Sequence, residues 1–346
     1  MGDSCLKAGR AFRGYGIRLR PPQKSTRTMV LFFMVSRFAP PTIPIAQSQE
    51  KKLTFQKFCF NAKYKIFFLS NGLLKKMNVK LIALDLDDTL LNSDRQISDE
   101  NVKALQKCAE KGIYVVLCSG RAEDAILPFV RRLQIAGTEA GRYLIAINGC
   151  SIFDLHTRQQ IFCRKVDSDI LLRVDSLAEE YGFRSEVYTP DTIYYREETE
   201  FTKLDVDLCG LKGVEVPDYK NFLKKGFTKM LVPGDPEKLQ EFQAIIKKEM
   251  GSRAVIFTSK PYFLEILPPD CGKGEAITWL AQHIGIGLET TMAFGDSMND
   301  ESMIRKCGYG VCMQNGLPEI KKIAGFVTEK DNNNSGIADF LYKNVL

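Results

Sequence analysis

The stretch Val79-Lys80-Leu81-Ile82-Ala83-Leu84-Asp85-Leu86-Asp87-Asp88-Thr89 decides how this chain is read. Its first six residues form an apolar run of the kind that makes a buried strand, and carboxylates crowd its far end. In an open parallel α/β sheet, ligands bind beyond the carboxyl ends of the strands, so Asp85 and Asp87 stand where chemistry is done. Carboxylates packed within a few residues repel one another unless a cation or proton offsets them. A hard, oxygen-seeking ion such as Mg²⁺ is the natural partner.

Working outward, residues 98–110 have helical spacing in Val102, Leu105 and Ala109, with Ser98 as N-cap and Lys111-Gly112 as the close. Residues 113–118 read as a strand, 121–133 as a helix and 144–147 as a strand. Asn148-Gly149 then turns into a hairpin of residues 151–153 with 160–163. Short crossovers of this kind give right-handed parallel pairing and a doubly wound sheet. The middle of the chain changes character, with helices expected at 169–181 and 236–250 and strands at 184–188, 192–195, 228–232, 254–257 and 263–266. From Lys273 the α/β rhythm resumes: helix 275–284, strand 291–294, helix 298–307, strand 308–312, and helices near Pro318 and Gly336. The expected fold is α/β, a doubly wound parallel sheet of residues 77–160 and 264–346 interrupted by an α+β insertion of residues 161–263.

The 346 residues, 45% of them hydrophobic, suffice for two globular units plus an extension. The net charge of +6 conceals an asymmetry. Residues 1–76 carry 15 Lys and Arg against only Asp3 and Glu50, so the remainder is acidic, which argues against nucleic acid as the partner. This extension is expected to lie outside the fold, with Met77 as the physiological start in preference to a targeting role. The apolar residues 29–35 are too few to span a bilayer, so no membrane partner is expected. Ten cysteines without a CxxC pair and only His156 and His283 speak against zinc chemistry. The cysteines suit reduced thiols packed as small hydrophobes, and hence a cytoplasmic setting; a monomer or small homo-oligomer is expected.

Four short stretches fall at strand ends or helix starts: residues 85–89, Ser119-Gly120-Arg121, Lys273, and Gly295-Asp296-Ser297-Met298-Asn299-Asp300. Asp85 can act as a carboxylate nucleophile on phosphorus, forming an aspartyl-phosphate. Asp87 can protonate the leaving oxygen and then deprotonate the attacking water, while Thr89 steadies the turn. The Ser119 hydroxyl and Gly120 amide can hold phosphoryl oxygens at a positive helix terminus, and the Lys273 ammonium can stabilise charge as it builds. Asp296 would complete a Mg²⁺ shell, with Asn299 and Asp300 orienting Lys273 or a metal-bound water. Singly, each piece reads better as a solvated turn, a helix cap or a surface charge. Their ordered combination at element boundaries reverses that balance.

With these motifs in place, residues 80–346 resemble the haloacid dehalogenase superfamily, and within it the Cof-type phosphatases, which carry an α/β cap after the third core strand. The D-x-D-x-T signature is Asp85, Asp87 and Thr89. The similarity extends to Asn148-Gly149, to Tyr262-Phe263-Leu264-Glu265-Ile266 and to Asn334-Ser335-Gly336-Ile337-Ala338. The resemblance implies that Asp85 is nucleophile and metal ligand, that Asp87 is acid/base and lends Mg²⁺ its backbone carbonyl, and that Asp296 is the remaining metal carboxylate. It places Leu86, Ser119, Gly120, Lys273 and Asn299 around the phosphate, with Thr89 and Asp300 behind. It further implies hydrolysis of small phosphorylated metabolites, sugar phosphates first and flavin or pyridoxal phosphates behind. Asp88 departs from the glycine of many relatives and is expected to face solvent or cap the turn. Tyr188, Tyr194 and Tyr195 are candidates to stack on a sugar or ring, against the commoner role of packing. A phosphotransferase or mutase using the same intermediate, and a phospho-aspartate signalling switch, stay open at this point.

Overall fold

The structure is a computed structural model that describes residues 76–346; the expectations for residues 1–75 lie outside the described residues. From Lys76 onward the chain forms β1 (Leu81–Leu84), α1 (Asp99–Glu110), β2 (Tyr114–Cys118), α2 (Glu123–Leu133), β3 (Tyr143–Ala146), β4 (Ser151–Asp154) and β5 (Gln159–Cys163). There follow α3 (Ser168–Glu180), β6 (Glu186–Tyr188), β7 (Thr192–Tyr195), α4 (Glu200–Cys209), β8 (Lys212–Glu215), α5 (Tyr219–Leu223), β9 (Met230–Pro233), α6 (Pro236–Met250), β10 (Val255–Lys260) and β11 (Phe263–Leu267). The chain ends with α7 (Lys273–His283), β12 (Thr291–Gly295), α8 (Glu301–Lys306), β13 (Tyr309–Cys312), α9 (Pro318–Ile323), β14 (Phe326–Val327) and α10 (Gly336–Asn344).

The first sheet has the order β14-β13-β12-β1-β2-β3-β4-β5, parallel except at the β3-β4-β5 edge. All four side chains of β1 are fully buried, as the apolar run requires. Leu81 and Ala83 pack with Ala276, Ile277 and Leu280 of α7 and Met303 of α8. On the opposite face, Phe294 of β12 meets Phe340 of α10 edge-on at 5.5 Å. Strand order runs outward in one direction from β1 to β3 and in the other from β12 to β14, so the topological switch point lies between β1 and β12. The crevice that such a reversal opens at the strand ends is the natural ligand site.

The second sheet, β10-β11-β9-β6-β7-β8, is antiparallel apart from the β7/β8 pair. One face carries Met230, Val232, Leu264 and Ile266 against α3 and α6, with Phe242 fully buried among them. The alternation of a strand turns Leu231, Glu265 and Tyr188 to the other face. α4, β8, α5 and β14 appear in addition to the elements expected from the sequence.

Two segment limits also move. Residues 161–163 belong to β5 and pair with β4, whereas Phe263–Leu267 pairs with β9 and β10. Val166 is already bridged to Phe227. The chain therefore crosses between the sheets at residues 164–165 and after Leu267, and not at 160 and 264, because ladder hydrogen bonds hold both strands to their sheets. α2 starts at Glu123, two residues later than expected, leaving Ser119, Gly120 and Arg121 in a loop. Among the described residues, no helix is long and apolar enough to cross a membrane.

Gly149 shows how tightly the turns around the strand ends are packed. Its φ is +93°, and a Cβ there would lie 2.2 Å from the carbonyl oxygen of Gly272, just before α7. Gly149→Ala is expected to lower unfolding free energy by about 1–3 kcal/mol, read as a reduced urea midpoint. An unchanged midpoint would contradict this packing.

Candidate active site

Parallel register brings four strand ends to one level. Leu84 pairs with Phe294 on one side and Leu117 on the other, and Cys118 pairs with Ile145. Asp85, Ser119 and Asp296 therefore emerge side by side, with Asn148 beyond Ser119. A cavity of about 760 Å³ opens there, and Asp85, Asp87, Ser119, Gly120, Asp296 and Asn299 line its floor.

After Asp85 the backbone makes a tight five-residue turn over Leu86–Leu90, closed by Leu90 and Leu91 amides donating to the Asp85 and Leu86 carbonyls. Asp88 takes φ 57° and is exposed, and its carbonyl accepts from Asn315 Nδ2 at 2.7 Å. The left-handed conformation accounts for the glycine preference noted above, and aspartate is one of the few other residues to tolerate it. Thr89, buried under the turn, donates its hydroxyl to Asp296 Oδ1 at 2.9 Å.

Lys273 opens α7 and is completely buried. Its ammonium donates to Asp85 Oδ1 at 2.5 Å and to Asp300 Oδ1 at 2.6 Å. The other oxygen of Asp300 accepts the backbone amides of Asp296 and Ser297 at 2.8 and 3.1 Å, so Asp300 fixes both the lysine and the loop after β12. Asp87 turns its carboxylate away from this cluster. It forms a two-pronged pair with Arg121, Nη2 to Oδ1 at 2.6 Å and Nε to Oδ2 at 3.0 Å.

Charge does not balance in this pocket. Asp85, Asp296 and Asp300 each place a carboxylate oxygen within 4.8 Å of the others, against the one ammonium of Lys273. Burial pushes Asp85 well above its usual range and Asp300 adds to it, against the pull of Lys273. Burial and Asp300 push Asp296 up to about 7. Burial alone would lower Lys273, but Asp300 and Asp85 hold it well above its ordinary value, so it stays charged. For Asp87, burial is outweighed by Arg121, which lowers it. An excess of buried carboxylate with oxygen-only donors fits a divalent cation such as Mg²⁺.

Of the residues singled out from sequence, Asp85, Lys273, Asp296, Asp300 and Thr89 form one connected cluster. Ser119, Gly120 and Asn299 share the cavity floor with Asp85, and Leu86 lies buried in the turn. Ser119 Oγ accepts the Arg121 amide at 3.2 Å, and the pair sits in a loop and not at a helix terminus. Sequence reasoning gave no role to Arg121 or to Asn148. Asn148 donates to Glu265 Oε2 at 3.2 Å and accepts from Asn299 Nδ2 at 3.2 Å, joining the second sheet to the loop after β12. The strand-end position of Asn148 was the available signal. Lys229 and Glu265, both buried and 3.9 Å apart, line the cavity from the second sheet. Tyr188 lies beneath Lys229 and spends its hydroxyl on Glu186 and Asp205. Tyr194 packs on Phe222 and Tyr195 in a separate apolar cluster.

Comparison with known proteins places this geometry. A family model of haloacid dehalogenase-like hydrolases matches residues 82–341. The Bacillus subtilis protein YxeH is 33% identical over 280 residues, covering 77% of this chain and 98% of the relative. The 5-amino-6-(5-phospho-D-ribitylamino)uracil phosphatase YcsE, also from Bacillus subtilis, is 30% identical over 265 residues, covering 76% and 94%. A crystal structure of a haloacid dehalogenase-like hydrolase from Bacteroides thetaiotaomicron superposes with a TM-score of 0.71 at 28% identity, covering 77% of this chain and 99% of the other. The chain belongs to the haloacid dehalogenase-like hydrolases, of the Cof type, and is a phosphatase of that family.

The raised Asp296 carboxyl has a consequence for stability. A carboxyl whose folded pKa exceeds its unfolded value binds a proton on folding, so its contribution is full below the unfolded value and is lost as pH rises through about 7. In EDTA, the thermal midpoint is expected to fall between about pH 5 and pH 8, and Asp296→Asn to flatten part of that fall. An equal slope in the variant would contradict the placement of Asp296 in the charged cluster.

Proposed function

We propose that this phosphatase is a Mg²⁺-dependent phosphomonoesterase working through an aspartyl-phosphate at Asp85. The single observation that carries the reading is the contact of the buried Lys273 ammonium with both Asp85 and Asp300, at the switch point of the sheet. Asp85 presents its carboxylate to the phosphorus, in line with the leaving oxygen. Lys273, the Ser119 hydroxyl, the amides of Leu86 and Gly120 and the Asn299 side chain hold the phosphoryl oxygens as charge builds on them. Asp87 gives a proton to the leaving oxygen and takes one from the water that attacks the phosphoenzyme. Its pairing with Arg121 favours the ionised form, so this pair must loosen before Asp87 can act as an acid. Thr89 and Asp300 position Asp296 and Lys273.

Asp85, the Asp87 carbonyl and Asp296 would hold Mg²⁺, which supplies the positive charge that lets an anionic phosphate approach an anionic nucleophile.

The second sheet acts as a cap over the site. It contributes Lys229, Glu265 and Tyr188 to the cavity wall, and its closure excludes bulk water during transfer. Small phosphorylated metabolites with hydroxylated leaving groups are the substrate class, sugar phosphates first and flavin-type or pyridoxal phosphates behind. The cavity volume supports this class, as does a 30% identical relative named for a phosphoribityl substrate. A cytoplasmic setting agrees with the free thiols of the described residues.

Phosphate release from a panel of sugar, nucleotide, flavin and pyridoxal phosphates, with Mg²⁺ and with EDTA, tests the reading. Turnover is expected only with metal and concentrated in one class. Asp85→Asn is expected to reduce kcat by at least about 10³-fold while circular dichroism stays unchanged. Metal-independent turnover, or substantial activity in that variant, would refute the proposal.

A further inference from the structure

Two thiols flank the contact between the Asn148 turn and the start of α7, and the proposed chemistry uses neither. Cys150 follows Gly149 and is fully buried, while Cys271 precedes Gly272 and Lys273 and reaches the cavity wall. The turns that carry them touch, since a Cβ on Gly149 would lie 2.2 Å from the Gly272 oxygen and 3.1 Å from the Lys273 nitrogen. The two thiols act on each other's protonation, Cys271 raising Cys150 and Cys150 lowering Cys271. Cys150, with Arg164 adding to it against partial burial, holds Cys271 below its ordinary value. Burial pushes Cys108, Cys118, Cys163, Cys209, Cys307 and Cys312 up, so Cys271 is the one thiol among the described residues shifted toward thiolate. A partly exposed thiolate beside a second thiol is the arrangement that peroxide oxidises selectively.

We propose that Cys150 and Cys271 form a modification site for hydroperoxides, and that its closure to a disulfide switches off the adjacent phosphate site. The Cys271 thiolate attacks one peroxide oxygen, the O–O bond breaks, and hydroxide leaves as water once protonated, giving a sulfenic acid. The Cys150 sulfur then attacks the Cys271 sulfur, the S–O bond breaks, and a second water departs with the Cys150 proton. Both thiols are oxidised, one electron each, and the peroxide is reduced to water. A sulfur–sulfur bond is roughly 2.05 Å long, so closing it draws the two free sulfurs to that distance. The backbones at Gly149 and Gly272 already touch and have no slack to give. The displacement passes to Lys273, two residues beyond Cys271, whose ammonium contacts Asp85. Misplacement of such a group by a fraction of an ångström is enough to impair transfer. The effect on turnover rests on the phosphatase reading; formation of the disulfide does not.

The test treats the reduced full chain with hydrogen peroxide, blocks the remaining thiols, maps cross-linked peptides by mass spectrometry, and measures p-nitrophenyl phosphate hydrolysis with Mg²⁺ in parallel. The expected result is a Cys150–Cys271 cross-link about 2 Da lighter than the two thiol peptides. At least about a tenfold loss of turnover should accompany it and be reversed by dithiothreitol. Cys150→Ser and Cys271→Ser should each keep their own starting activity through the treatment, whereas Cys163→Ser should lose it like the parent. A Cys271–Cys163 cross-link, sulfinic acids without a cross-link, or a Cys150–Cys271 disulfide with undiminished turnover would overturn the proposal. Absence of turnover before oxidation would instead count against the phosphatase reading, and the peptide map would still decide the thiol pair.

Discussion

A lysine with no exposed surface sits between two aspartates at the end of the central strands, and the rest of the site is arranged around it. Burying an ammonium is unfavourable unless carboxylates repay the lost hydration, and removing one member of such a cluster typically costs on the order of 3–5 kcal/mol. Lys273 therefore fixes the start of α7, the turn after β1 and the loop after β12 together. The same contact leaves the pocket short of positive charge. That shortage is what suits the three carboxylates to a cation.

The cluster exists because of strand topology. β1 and β12 are neighbours in space but more than two hundred residues apart in sequence, and the sheet runs outward from them in opposite directions. Parallel register then delivers Asp85, Ser119 and Asp296 to one edge, the amides of Asp85 and Ser119 held by the carbonyls of Phe294 and Ile145 and that of Asp296 by the Asp300 carboxylate. The insertion between β5 and α7 brings a second sheet whose polar face closes the cavity. Asn148 ties that face to Asn299 through Glu265, so the second sheet and the loop after β12 are linked by side-chain hydrogen bonds.

Much of this was legible in the sequence because strand ends in a parallel sheet announce themselves as apolar runs halted by polar residues. Asp85, Ser119 and Asp296 were singled out that way, as were β1, β2 and β12, whereas Lys273 was singled out at a helix start and α6 was read as a helix from Pro236 to Met250. What escaped was decided by long-range pairing or by inverted patterns. α4 buries the polar Thr202 and Asp205 while leaving Leu204 exposed, so its hydrophobic period is weak, and β8 is an exposed edge strand. Lys229 and Glu265 meet only through the antiparallel register of β9 with β11. The domain limits slipped by a few residues because β5 and β11 each continue their sheet past the apparent change in composition.

The central claim is that Asp85 carries the phosphoryl group during turnover. The most direct measurement is an acid quench of the enzyme in the steady state with substrate labelled at the phosphoryl group, followed by peptide mapping of the label. The account predicts label on the peptide containing Asp85, formed and discharged at rates that match phosphate release. Phosphate release with no labelled enzyme, or label on a peptide lacking Asp85, would contradict it.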